Sequence, residues 1–199
     1  MRAASWHADL VVVGSHGRGL LKRMFLGSVS HRVAAEEHCS VRIVRARRRS
    51  KDSPLRLLLA MDGSDDSLQA LKAVIARTWP QSTEVRVATV IDPRLESSLA
   101  WSPDFARQWV RDHDRGVDEG VCRRMEAWSA KLAETGLQAE TAILAGDPKH
   151  ELLKAAEAWE ADAIFVGARG LEHGGRALGT TAGSVAARAH CTVEIVRRK

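Results

Sequence analysis

Residues 161–167 read Ala-Asp-Ala-Ile-Phe-Val-Gly, and residues 8–14 read Ala-Asp-Leu-Val-Val-Val-Gly. A second match follows each of them: residues 190–197 read His-Cys-Thr-Val-Glu-Ile-Val-Arg, and residues 38–45 read His-Cys-Ser-Val-Arg-Ile-Val-Arg. The copies lie 153 residues apart in the first match (8 to 161) and 152 in the second (38 to 190). Such a repeat predicts that the chain contains two copies of one structural unit.

The repeat predicts that the first copy is incomplete. Residues 54–153 precede the matched stretch in the second copy, and the first copy has no equivalent of them. We therefore expect residues 1–47 to be the last quarter of a truncated unit and residues 48–53 to be a basic linker. Residues 54–199 are expected to form a complete unit.

The composition favours a globular, cytoplasmic protein. Hydrophobic residues make up 45% of the chain and charged residues 28%, as in ordinary folded domains. No apolar run approaches the roughly 20 residues of a membrane-spanning helix, and no signal peptide is recognisable. The three cysteines, Cys39, Cys122 and Cys191, have no metal-binding spacing, and their odd number fits a reducing compartment.

The positive charge is concentrated near the start of the chain. Residues 1–52 hold 11 of the 30 Lys and Arg residues but only 4 of the 25 Asp and Glu residues. The main source is the run Arg45–Lys51, which can contact nucleic acid or serve as a solvated linker. Because no aromatic residue is interleaved, the linker interpretation is favoured and nucleic acid is not expected as a partner.

Strands and helices are predicted to alternate through the complete unit. Apolar runs at 56–61 and 163–166 suit strands that are buried on both faces of a parallel sheet. The predicted order βαβαβαβαβ gives an α/β fold, an open, doubly wound parallel five-stranded sheet with helices on both faces. Residues 1–47 are expected to add a β-α-β remnant of the second copy.

The helices of this unit are marked by periodicity and by their starts. Apolar residues recur on one face of a helix predicted over 67–77 and of a longer one over 103–135. Asp147-Pro148 is typical of a helix start, with Asp as cap and Pro in the first turn. The last helix is expected to begin near Thr180.

A glycine-containing loop follows the predicted strand in each copy. The first copy has the pattern Gly-xx-Gly-x9-Gly-Ser, and the second has Gly-xx-Gly-x8-Gly-Thr, one residue shorter. Glycines let the backbone approach an anion, and a helix N-terminus favours phosphate, although a tight turn and an N-cap require the same residue types. The candidate phosphate-binding residues are Gly14, Gly17, Gly27 and Ser28 in the first copy and Gly167, Gly170, Gly179 and Thr180 in the second.

The chain resembles the universal stress protein family. The resemblance rests on the loop from Val13 to Ser30, on Ala60-Met61-Asp62-Gly63-Ser64, on residues 166–170 and on the His-Cys-Thr-Val-Glu-Ile-Val end. It implies a Rossmann-like sheet with strand order 3-2-1-4-5. It also implies either a homodimer or an intramolecular tandem pair that is joined through the last strands.

The resemblance also implies a nucleotide site. Asp62 would face the sugar and base, and Val90 and Ile91 would line the adenine pocket at the end of the second strand. The loop residues of the second copy, together with Arg169, would hold the phosphates of ATP, with Mg²⁺ as a possible companion. An open α/β sheet provides a crevice for such a ligand at the carboxyl ends of its strands.

Three functions are compatible with these residues. The first is a stress-response module that binds ATP or a related adenine nucleotide. The second, suggested by the shorter loop, is a dimerising or partner-binding domain that binds no nucleotide. The third is a weak ATPase, for which the sequence offers no placed base, no catalytic residue and no metal-binding pair.

The strand at the end of the first copy is expected to pair with the last strand of the chain. Residues 1–47 are too few to bury enough apolar surface alone, and their strands have unpaired edges. In the family that the chain resembles, the last strands of neighbouring units commonly meet antiparallel, and this resemblance implies that Val41–Val44 lies against Val193–Val196, in the same chain or in a partner.

Overall fold

The computed structural model describes residues 6–15, 26–46, 53–92, 119–170 and 177–198. The strands in these ranges are β1 Leu10–Gly14, β2 Ser40–Val44, β3 Arg56–Ala60, β4 Glu84–Ile91, β5 Gln138–Ala145, β6 Ala163–Gly167 and β7 Thr192–Val196. The helices are α1 Ser28–Glu36, α2 Asp65–Ile75, α3 Glu119–Ala133, α4 Pro148–Ala158 and α5 Thr180–Arg188. No helix of the described ranges is long and apolar enough to cross a membrane.

All seven strands form one sheet in the order β1-β2-β7-β6-β3-β4-β5. From β3 onward this is the expected order 3-2-1-4-5, with every neighbouring pair parallel. The observed sheet differs in detail from the predicted five-stranded one, because it has seven strands. The strands of residues 1–47 extend it through an antiparallel pair, in which Val41 lies opposite Ile195 and Ile43 opposite Val193.

The sheet separates two apolar cores. Helices α1, α4 and α5 pack on one face, where Val41, Ile164 and Ile195 are fully buried. Helices α2 and α3 pack on the other face, around Phe165 and Leu59. The predicted long helix over 103–135 is described from Glu119 and ends at Ala133, two residues before its predicted end, while residues 103–118 lie outside the described residues.

A buried carboxylate lies at the junction between β2 and β7. Glu194 is directly opposite Arg42, and its Oε2 accepts a hydrogen bond from Arg42 Nε at 2.8 Å. Arg77, which follows α2, donates to the same oxygen at 2.9 Å. Since the Glu194 side chain is only 1% exposed, two guanidinium groups compensate its loss of water.

Two arginines cross the same junction reciprocally. Arg45 follows β2 and donates through Nη1 to the carbonyl of Cys191, while Arg197 follows β7 and donates through Nη2 to the carbonyl of Ala34 in α1, at 2.8 Å. Burial lowers the pKa of both guanidinium groups. Because Arg45 and Arg197 are equivalent in the repeat, each copy donates an arginine hydrogen bond to a backbone carbonyl of the other copy.

Candidate functional site

The turn between β3 and α2 presents Asp62 at the carboxyl end of the central strand. Gly63 has φ +81°, a left-handed conformation that glycine adopts without strain. Asp62 Oδ1 accepts a hydrogen bond from the backbone N–H of Ser64 at 2.9 Å. Ser64 in turn caps α2 by accepting from the N–H of Ser67 at 3.3 Å. The Asp62 carboxylate is therefore exposed but held in place by the turn.

The loop after β6 lies against this turn. A Cβ atom on Gly167 would be 2.7 Å from the backbone nitrogen of Ser67, so glycine permits the close approach of α2 to β6. A Cβ atom on Gly170 would be 3.0 Å from Asp62 Oδ2. The structure thus brings together Asp62 and Gly170, two of the predicted site residues.

Arg169 is engaged by a carboxylate that we did not predict from the sequence. Its Nε donates to Asp66 Oδ2 at 2.8 Å and its Nη2 donates to Oδ1 at 3.0 Å, and Asp66 is buried. The hydrogen bond to Asp66 raises the pKa of Arg169 further. The carbonyl of Arg169 accepts from Ser64 Oγ at 3.2 Å, which joins the two loops a second time. The only signal for Asp66 in the sequence was its place just before the helix predicted over 67–77, and the structure puts it in the first turn of α2.

The phosphate-binding end of the predicted loop leads into α5. Gly179 is the N-cap of this helix and provides no side-chain hydrogen bond, while its own N–H donates to the carbonyl of Ala168 at 2.8 Å. A Cβ atom on Gly179 would lie 3.5 Å from the Cα of Arg169, so the end of the loop returns next to its beginning. Thr180, the first residue of α5, is exposed. The N–H groups in the first turn of such a helix lack intrahelical acceptors.

The predicted adenine-side residues lie on an extension of β4. Strand β3 ends at Ala60, which pairs with Ala88, whereas β4 continues to Ile91. Val90 and Ile91 are half-buried and pair with the end of β5. They lie at the carboxyl edge of the sheet, where Val90 packs against the core that contains α4 and α5, and Ile91, the next residue, points to the opposite face.

The first copy has the same local geometry at its own loop. Gly27, the N-cap of α1, has φ −62° and ψ 151°, and Gly179 has the same pair of angles. The N–H of Gly27 donates to the carbonyl of Ser15 at 2.9 Å, as Gly179 does to Ala168. Gly14 ends β1 and Ser28 begins α1, both exposed, while Gly17 lies outside the described residues.

The described ranges contain no group of three or more His, Cys, Asp or Glu side chains that could hold a metal ion. The turn after β3, the end of β4 and the start of α5 lie at the carboxyl edge of the sheet and offer the Asp62 carboxylate, the first-turn N–H groups of α5 and apolar side chains of β4. These groups suit a ligand with a phosphate, a hydroxylated sugar and a flat apolar ring.

A family model and a curated relative both assign the chain to the same family. The model described as the Universal stress protein family matches residues 2–45 and 55–197. Universal stress protein YxiE of Bacillus subtilis (strain 168) is 30% identical over 148 residues, which are 71% of this chain and 98% of that protein.

Two solved structures have the same fold. A universal stress protein from Archaeoglobus fulgidus is similar with a TM-score of 0.64 and 23% identity, over 98% of this chain and 63% of that one. A universal stress protein family protein from Arabidopsis thaliana, solved with AMP bound, is similar with a TM-score of 0.51 and 21% identity, over 73% of this chain and 93% of that one.

Proposed function

This chain belongs to the universal stress protein family, and on that premise we propose that it is a module that binds ATP or a related adenine nucleotide, ATP carrying Mg²⁺. One observation carries the proposal: the Asp62 carboxylate lies against Gly170 of the loop that leads to the uncapped start of α5. Acceptors for a sugar and donors for phosphates thus occur together at the carboxyl edge of the sheet.

The start of α5 is the phosphate-binding part of this proposal. No side chain caps the helix, so an anion can accept hydrogen bonds from the first-turn N–H groups and interact with the positive end of the helix dipole. A Cβ atom on Gly170 would crowd Asp62, and one on Gly179 would crowd the backbone of Ala168, so glycine at both positions permits this packing of the loop. The hydroxyl of Thr180 adds a donor at the same end.

Asp62 is the sugar-binding part. Its Oδ1 is used by the turn, and a carboxylate oxygen has capacity for further hydrogen bonds from ribose hydroxyl groups. Val90 and Ile91 supply apolar surface for the base. Arg169 contributes by holding the loop to Asp66, and its charge is largely balanced there. A protein of the same fold, the Arabidopsis thaliana relative, was solved with AMP bound.

The competing function is a partner-binding domain without a nucleotide. The pairing of β2 with β7 favours it, because the last strands of the two copies already form an interface. We assign no catalytic residue in either case.

The proposal also covers how the chain divides into units and in which cellular compartment the protein lies. Residues 1–47 are the last quarter of a second unit, residues 48–53 are a linker and residues 54–199 are the complete unit. The repeat supports this division, and so do the equal backbone angles at Gly27 and Gly179. We place the protein in the cytoplasm, as its free cysteines favour.

Calorimetric titration of the full chain with ATP, ADP and AMP tests the proposal. We expect Asp62→Ala to weaken binding about tenfold or more, because a hydrogen bond to a charged group contributes about 1.5–3 kcal/mol. The fold should stay intact and the melting temperature should fall only slightly, since Asp62 is exposed and loses one hydrogen bond to the turn. Asp65→Ala is the matched control, because it removes an exposed carboxylate from the start of α2.

Two results would contradict the proposal. One is the absence of heat with every nucleotide, which favours the partner-binding domain. The other is an Asp62→Ala variant that melts lower but binds as tightly as the parent, which limits Asp62 to shaping the turn.

A further inference from the structure

The end of β7 lies between the first copy and the candidate nucleotide site. Val196, the last residue of β7, accepts a hydrogen bond at 2.8 Å from the N–H of Ala168, which opens the loop after β6. The next residue, Arg197, is held by the first copy. Its N–H donates to Ser40 Oγ at 3.2 Å, and its Nη2 donates to the carbonyl of Ala34 at 2.8 Å. Arg197 therefore contacts the first copy from a position beside the loop of the second.

The guanidinium group of Arg197 interacts through space with the Asp66–Arg169 pair. Burial lowers the pKa of Arg197 and repulsion by Arg169 lowers it further, whereas the carboxylate of Asp66 raises it. The Nε of Arg197 is buried and has no hydrogen-bond acceptor in the part of the chain that the structure describes, which is rare for a buried donor. Attraction to Asp66 offsets part of this cost.

Asp66 in turn benefits from a second positive charge. Its side chain is only 3% exposed, and a buried carboxylate is costly unless other groups compensate its loss of water. Glu194, which is also buried, has two guanidinium groups in direct contact, one of them from the first copy. Asp66 has direct hydrogen bonds from Arg169, and Arg197 adds charge from the junction between the copies. Each of these two carboxylates thus depends on both copies.

We propose that Arg197 is a positioning residue for the phosphate loop, through which the docked first copy orders the nucleotide site of the complete unit. The inference rests on the nucleotide binding proposed for that site. The first copy fixes Arg197 through the carbonyl of Ala34. Arg197 stabilises the carboxylate of Asp66, which holds Arg169 and with it the start of the loop beside Asp62. Linkage is reciprocal, so a bound nucleotide strengthens the hold of Arg197 on the first copy.

The repeat provides a matched control, because Arg45 is the equivalent of Arg197. Arg45 also donates to backbone carbonyls of the other copy, those of Cys191 and Ala186. It lies at the opposite end of the antiparallel pair of β2 and β7, away from Asp66. Replacement of either arginine by Met therefore removes hydrogen bonds between the copies, but only Arg197→Met removes a charge that acts on Asp66.

Hydrogen exchange of the full chain without nucleotide measures the order of the loop. The N–H groups of Ala168 and Gly179 close its two ends. We expect Arg197→Met to speed their exchange about fivefold, and Arg45→Met to leave it as in the parent. Calorimetric titration with ATP should show about fivefold weaker binding for Arg197→Met and the parent affinity for Arg45→Met. In an Arg169→Met background, Arg197→Met should weaken ATP binding no further, because both act through one ion pair.

Three results would overturn the positioning role. One is loop exchange that Arg197→Met leaves unchanged, and another is an equal change in both Met variants, which limits Arg197 to stabilising the junction. The third is a full additional loss of ATP affinity in the Arg169→Met background, because Arg197 would then act by another route. A parent chain that binds no ATP would contradict the proposed function, and the exchange rates would still decide the role of Arg197.

Discussion

Glu194 shows at the scale of one residue how the two copies are held together. Glu194 is completely buried, and its carboxylate is bound by Arg42 from one copy and by Arg77 from the other. A buried ion pair adds little net stability relative to an apolar pair, but removing one partner is costly because the remaining charge stays buried.

We therefore expect Glu194→Gln to lower the free energy of unfolding by about 3 kcal/mol, since two guanidinium groups lose their counter-charge. Urea denaturation measures this change. Glu140→Gln is the control, because Glu140 pairs with Arg86 across two strands but is 53% exposed. It should cost less than about 1 kcal/mol. Equal costs for the two variants would show that Glu194 contributes no more than a surface charge.

The glycine loops are the informative elements at the next scale. Both lead into a helix with the same N-cap angles, and both fix that cap by one backbone hydrogen bond to the residue after the strand. The one-residue difference between the copies therefore leaves the helix entry unchanged. It falls between Gly170 and Gly179, two of the predicted phosphate-binding residues.

Insertion of one glycine between Gly170 and Gly179 should raise the affinity for ATP about tenfold, because the longer loop can direct one more backbone N–H at the phosphates. Calorimetric titration of the full chain with ATP checks this. The control is the same insertion between Gln81 and Ser82, in the turn before β4 at the opposite edge of the sheet, and it should leave the affinity unchanged. If both insertions leave ATP binding as in the parent, the shorter loop does not limit affinity.

At the scale of the whole molecule, the first copy serves as the outer part of one continuous sheet. Its β2 covers the edge of β7, and Arg45 and Arg197 bind the opposite copy reciprocally. Val41 and Ile43 are completely buried as a result. The first copy therefore stabilises the chain by closing an edge that would otherwise be open.

A chain of residues 48–199 should form dimers, because it exposes the edge of β7 and a second copy can pair there. Light scattering should give twice the monomer mass for residues 48–199. The full chain, in which β2 already covers β7, should not gain mass in this way. Hydrogen exchange of the full chain should show residues 41–44 protected. An unchanged state after truncation, with residues 41–44 unprotected in the full chain, would contradict this role of the first copy.

Local signals in the sequence determined the elements and their order. The start of α4 at Pro148 was predicted from Asp147, whose side chain accepts from Lys149 N at 2.9 Å. Helix α2 begins two residues earlier than predicted, at Asp65, because Ser64 is the cap. The family resemblance also predicted the pairing of β2 with β7, which the structure shows as an antiparallel pair. Such signals act within a few residues or follow from a pattern of apolar positions, so they can be seen without the fold.

Only the tertiary structure decided which charges meet. Arg42 and Glu194 are 152 residues apart in the chain, and Asp66 and Arg169 are 103 apart. Nothing local distinguishes these side chains from other charged residues. Their pairing depends on strand register and on the approach of α2 to β6, which is set by packing of the whole sheet. The single sheet of seven strands has the same origin, because an antiparallel junction within one chain requires both edges to be brought together in space.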